Sequence, residues 1–246
     1  MWTRASIAVA LASATAILLA PAAPAATPGT AGAPPQSQAA TPLDRYLEHL
    51  RTLRVTFLQT VADSHGAEVG RSSGTLIVER PGKFRWDIHP EPLPAAADAP
   101  ASAASGAAST AEGGQLMVSD GRNLWYFDRD LEQVTVRPVT AALSATPAML
   151  LSGTVDVHQH FTEKSVGPRE GLGWVYVEPR SAQADFNDAL FGFDSKGTLQ
   201  RMILEDKLGQ TVTIIFQDVA VNVPVPPREF VFTPPPGADV IGTPAQ

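Results

Sequence analysis

The chain has 246 residues, 44% of them hydrophobic, a formal net charge of −7 and no cysteine. That apolar fraction suits a globular protein with a full core, and the missing thiols exclude disulfide staples and cysteine-based zinc sites. The acidic balance excludes a phosphate-tracking surface, which needs a basic excess, so no nucleic-acid partner is expected.

Arg4 precedes an apolar run over residues 5–20 and small residues at Ala22, Ala23 and Ala25, the layout of a secretory signal. Residues 1–25 are expected to be removed on export, and cleavage after Ala22 or after Ala25 satisfies the small-x-small rule equally well. The run is short for an uncleaved anchor, since a span needs roughly 20 apolar residues. Residues 26–40 are Ala, Pro, Gly, Thr and Gln without periodicity, a composition expected to stay disordered as a leader. A helix then begins clearly: Thr41 is placed as N-cap, Pro42 at the first helical position and Asp44 three residues after the cap. An apolar stripe follows at Leu43, Leu47 and Leu50, flanked by Tyr46 and Leu53.

Beyond it the apolar period changes from 3.6 to 2, predicting strands over 55–61, 74–80, 84–88, 115–119, 123–127 and 133–137. Turn signals at Pro81-Gly82, Asp120-Gly121 and Asp128-Arg129-Asp130 make the connections antiparallel hairpins. The Ala/Ser/Pro/Gly tract over 90–114 is expected to be a disordered surface loop. A second short helix is predicted over 141–151, ending in Met149, Leu150 and Leu151. Strands are predicted again over 154–161, 173–178, 189–194, 199–205, 211–219 and 230–232, with Pro-rich rigid pieces around the last of them.

Several strands gather large apolar side chains: Phe84, Trp86 and Ile88; Val134 and Val136; Val212, Ile214 and Phe216. Two readings stand: a fully packed core, or an apolar cavity that a wide curved sheet encloses under its two helices. Arg80 shares a face with Leu76 and Val78, which brings a guanidinium toward an apolar surface, where its five donors suit backbone carbonyls.

Three patterns with catalytic or metal-binding lettering fail on context. Gly70-Arg71-Ser72-Ser73-Gly74 has the spacing of a nucleophile elbow but is followed by a strand where that device needs a helix. His158 and His160 would share a strand face with no clear third ligand. Gly171-Leu172-Gly173 lacks the third glycine of a dinucleotide loop. Nothing in the sequence gives a positive reason to expect an enzyme.

Val78-Glu79-Arg80-Pro81-Gly82-Lys83-Phe84-Arg85-Trp86-Asp87 is answered some thirty residues on by Ser119-Asp120-Gly121-Arg122-Asn123-Leu124-Trp125-Tyr126-Phe127-Asp128. Phe57-x-Gln59-Thr60, Leu131-x-Gln133-Val134-Thr135, Thr146-Pro147-x-Met149-Leu150 and Phe230-x-Phe232-Thr233-Pro234-Pro235-x-Gly237 follow in order. Together these resemble the periplasmic outer-membrane lipoprotein carrier family, LolA, over most of the mature chain. The resemblance implies a mainly β (α+β) fold: one domain over 41–246, in which a strongly curved antiparallel sheet forms an incomplete β-barrel with a helical lid. It implies a monomeric periplasmic carrier that takes lipoproteins, held by their acyl chains, from an inner-membrane ABC-type release complex to an outer-membrane lipoprotein receptor, with no cofactor. It further implies that Arg80 latches the lid by bonding lid carbonyls and that Phe84 serves partner contact. Phe84, Trp86, Ile88, Leu47, Leu50, Val134, Val136 and Ile214 are expected in the acyl-chain cavity or in partner contact, with Met149 and Leu150 as lid plugs. The alternative is a carrier or sensor of another lipid on the same fold, a glycolipid or lipid conjugate.

Overall fold

The computed structural model describes residues 40–93, 113–139, 147–154, 156–182, 184 and 186–245. The expected signal, almost all of the expected leader, most of the 90–114 tract and the first part of the predicted 141–151 helix lie outside these residues.

Helix α1, Pro42–His49, starts at the expected capping box: the Thr41 hydroxyl accepts the Asp44 amide while the Asp44 carboxylate accepts the Thr41 amide. Six strands follow: β1 Thr52–Ala62, β2 Glu68–Glu79, β3 Lys83–Glu91, β4 Gln115–Asp120, β5 Asn123–Asp128 and β6 Gln133–Pro138. Helix α2, Pro147–Ser152, and helix α3, Val157–His160, then precede β7 Phe161–Arg169, β8 Leu172–Pro179, β9 Phe186–Phe193, β10 Leu199–Asp206, β11 Thr211–Val221 and β12 Asp239–Gly242. All twelve strands form one sheet in the order β12-β6-β5-β4-β3-β2-β1-β11-β10-β9-β8-β7. Every neighbouring pair is antiparallel except β12 with β6, which is parallel. The sheet is open, with β7 and β12 as its edges, and it curves around one apolar cluster drawn from α1, α2 and strands as far apart as β5 and β7. Among the described residues no helix is long and apolar enough to cross a membrane.

The sequence misassigns the two places where the sheet ends. The predicted strand over 154–161 is instead α3, because Asp156 caps a helical turn by accepting the Gln159 amide, and the strand begins only at Phe161. The predicted strand over 230–232 is a 3₁₀ turn, Pro227–Phe230, leading into an irregular segment, since the prolines around it have no N–H to give a ladder. That segment crosses the outer face of the sheet: the Phe232 ring packs 5.6 Å from Trp125 and 6.1 Å from Phe127. The chain then adds β12 alongside β6.

Cross-strand register sorts the apolar residues by face. Leu76, Trp86, Met117 and Tyr126 pair in one row, and Val78, Phe84, Ser119 and Leu124 in the next, all on the inner face. Ile77, Arg85, Val118, Trp125 and Val136 form the intervening row, on the outer face. Val134, paired with Phe127, lies on that outer face too. Val134 and Val136 are buried, but on the side crossed by the Phe232 segment. They do not line the space beneath the helices, which corrects the cavity half of the expectation for both. Strict alternation within β6 is visible in sequence, but which face turns inward depends on its neighbours' register.

Candidate functional site

Three short segments distant in sequence meet at the C-terminal end of α2. The Arg80-Pro81-Gly82 turn between β2 and β3 brings two donors there: Gly82 N donates to Ser152 O at 2.8 Å, and Arg80 Nη1 donates to Leu151 O at 3.4 Å. The Ser119-Asp120-Gly121 turn supports the first from behind, since buried Ser119 Oγ donates to Gly82 O at 2.7 Å. The two motifs that stand out in the sequence are therefore one structure.

A helix C-terminus leaves four carbonyls without intrahelical partners. Here Met149 O accepts the Thr154 amide at 3.1 Å and the Ser152 hydroxyl at 3.0 Å, and Leu150 O accepts the Gly153 amide at 3.2 Å. The other two, Leu151 O and Ser152 O, depend on the β2–β3 turn. Gly153 has φ +69°, the left-handed turn that ends a helix, and the guanidinium lies close against it. A Cβ there would stand 2.8 Å from Arg80 Nη2 and 3.0 Å from its Cζ. Arg80 is half-buried, and burial lowers its pKa from the usual arginine range. Among the described residues no carboxylate lies in ion-pair range of it, and the acceptor its guanidinium reaches is Leu151 O.

The body of α2 is apolar all round: Ala148, Met149, Leu150 and Leu151 are each at most 1% exposed. A helix with that pattern is enclosed on every side. Met149, Leu150 and Leu151 share the inner cluster with Leu47 and Leu50 of the α1 region, Phe84, Trp86 and Ile214, and Ile88 packs against its edge. Of the residues singled out in the sequence, all but Val134 and Val136 thus come together under the helices. Phe57 meets Trp86 edge-on at 6.0 Å, and Tyr46 tilts over Phe193 at 5.4 Å. In this apolar space Tyr46 Oη and Trp86 Nε1 are buried without hydrogen-bond partners among the described residues. A cleft of about 500 Å³ opens along the seam of the helices, walled by Leu47, Arg80, Gly153 and Val157 among others. The sequence reading passed over Gly153 and Ser152; glycine directly after an apolar run is the helix-stop signal that marks them. Ser72 of the elbow-like pattern lies inside β2, without the strand-turn-helix that such a nucleophile needs.

Comparison with known proteins gives one consistent result. The profile of the family "Outer membrane lipoprotein carrier protein LolA" matches residues 48–94 and 109–233. An outer-membrane lipoprotein carrier protein of Dechloromonas aromatica is 39% identical over 200 residues, covering 81% of this chain and 86% of that one. One from Nitrosospira multiformis is 37% identical, with the same coverage of each chain. Among solved structures, a LolA superfamily protein of Nitrosomonas europaea aligns with TM-score 0.40 and 14% identity, covering 78% of this chain and 96% of that one.

Proposed function

The chain belongs to the LolA family of outer membrane lipoprotein carrier proteins, and from that membership we infer that it shuttles lipoproteins through the periplasm with their acyl chains held beneath α1 and α2. It accepts them from an inner-membrane ABC-type release complex and passes them to an outer-membrane receptor. The observation that carries the lid mechanism is the double use of α2: its side chains fill the inner face while the β2–β3 turn holds its last two carbonyls.

Magnitudes explain why a carrier is built this way. Each buried acyl methylene contributes about 0.8 kcal/mol, so three long chains would exceed the roughly 20 kcal/mol ceiling of reversible association. A site that bound them at full strength would not release them. When cargo enters, it displaces Met149, Leu150 and Leu151 from contacts already made, and moving α2 breaks the bonds from Arg80 and Gly82. Those losses are subtracted from cargo affinity, and a receptor with a modestly better site then draws the lipoprotein off. Phe84 and Trp86 form the wall next to the latch.

The test is native mass spectrometry of the mature protein from its own periplasm, with and without Arg80→Leu. Wild type is expected mostly empty, and the variant is expected to retain acylated lipoprotein, because its closed state is weaker while its wall is intact. Recovery of free glycolipid or phospholipid in the variant would move the assignment to a carrier of another lipid. Two proteins that stay empty alike would overturn the latch.

A further inference from the structure

A second cluster of chemistry-bearing groups lies along the same cleft, which Asp44 and His158 also line, built from side chains that the carrier reading does not use. Asp44 comes from the first turn of α1, His158 from α3 and Glu163 from β7. Thr41 organises both carboxylates at once. Its amide donates to Asp44 Oδ2 at 2.7 Å and its hydroxyl donates to Glu163 Oε2 at 2.9 Å, which leaves Asp44 Oδ1 and Glu163 Oε1 turned toward His158. The His158 ring stands between them, Nε2 at 3.4 Å from Asp44 Oδ1 and Nδ1 at 3.8 Å from Glu163 Oε1.

The Glu163 side chain is only 5% exposed, and its Oε1 is buried with no hydrogen-bond partner among the described residues. A carboxylate oxygen in that position is costly unless something positive meets it. Burial, and to a smaller degree the neighbouring Asp44 charge, raises the Glu163 pKa above the usual carboxylate range, against the Thr41 hydrogen bond that lowers it. The His158 side chain is 74% exposed, so its ring is free to turn one nitrogen inward and to leave open positions for water.

We propose that Asp44, His158 and Glu163 form a binding site for a divalent transition-metal ion, with Zn²⁺ the best match to one imidazole nitrogen and two carboxylates. Three such ligands plus water are an ordinary zinc set, and a set containing imidazole selects against Mg²⁺ and Ca²⁺. One donor atom from each residue lies within 4.8 Å of the others, and since tetrahedral ligands about 2.0–2.2 Å from a shared ion stand roughly 3.3–3.6 Å apart, the cluster closes by about 1 Å when the exposed His158 ring turns inward. Thr41 supplies the outer hydrogen bonds that fix carboxylate orientation in metal sites. The charge around the cleft agrees, since Glu48 and Asp156 also line it, opposed among the described residues by Arg80. The ion would tie α1 to α3 and to the edge strand β7. If the lid reading holds, that tether restrains the segment into which α2 runs, but the binding itself does not depend on cargo.

The experiment uses the tag-free mature protein, stripped with chelator and titrated with Zn²⁺ by calorimetry, with Co²⁺ absorption as a second readout. One equivalent is expected to bind and to raise Tm. Affinity is expected to fall by about tenfold or more in both Glu163→Gln and His158→Ala, and to be unchanged in His160→Ala, which removes the neighbouring exposed histidine. His158→Ala changes a mostly exposed side chain and keeps the fold testable if Glu163→Gln does not. Absence of saturable binding in wild type, or binding that survives both ligand variants, overturns the site.

Discussion

At the scale of single residues, the inner face is controlled by groups whose charge sits poorly in their surroundings. Arg80 is held at the helix end by the Leu151 carbonyl and by packing against Gly153, and lysine would not replace it, having one compact ammonium where arginine spreads donors across a plane. Glu163 is the acidic counterpart, and its behaviour with pH follows from the raised pKa. Below the ordinary carboxylate range it is protonated in both folded and unfolded chains and makes no difference. As pH climbs through the raised folded value, the unfolded chain has already given up this proton and the folded chain resists doing so, so stability falls. Calorimetric melts of metal-free protein from about pH 4 to 7.5 are therefore expected to show Glu163→Gln equal to wild type at the acid end and more stable at the neutral end. A glutamine variant that is less stable at neutral pH would sink this account.

At the scale of elements, α2 is too short to stand alone and depends on what receives its end. Gly153→Ala puts a methyl against the Arg80 guanidinium and forces a left-handed backbone on alanine. Its expected cost is about 1–3 kcal/mol in urea unfolding. Because the steric conflict pushes Arg80 away from Leu151, the same variant is also expected to retain cargo as Arg80→Leu does; unchanged stability together with an empty protein would refute the steric reading. The outer face has its own fastening. Phe232 packs on Trp125 and Phe127 but is only half-buried, so Phe232→Ala is expected to cost about 1–3 kcal/mol, less than a core phenylalanine, with the loss visible in near-UV circular dichroism.

At the scale of the whole molecule, what was legible in the sequence follows from how each part is buried. Interior strands such as β3 and β11 alternate because one face packs inward, and α1 carries its capping box and stripe openly. The strands at the two ends of the order were missed for the complementary reason. β7 runs Phe-Thr-Glu-Lys-Ser-Val-Gly-Pro-Arg with Phe161 its one buried apolar residue, and β12 is exposed throughout, so neither has a sustained apolar face to impose a period. Register was equally invisible, which is why Val134 and Val136 were expected on the wrong side. Of the site, Arg80, Phe84, Met149 and Leu150 could be named from motifs. The union of Asp44, His158 and Glu163 could not, since nothing local links a helix cap to an edge strand more than a hundred residues away. The pairing of β1 with β2 on one side and β11 on the other has a consequence in time. Leu53 sits opposite Val221, so the first strand made cannot complete its hydrogen bonding until nearly all the sheet has been synthesised. Closing so long a loop delays the final structure, and a nascent chain short of β11 remains an incomplete sheet with β1 exposed along one edge until the last long strand arrives.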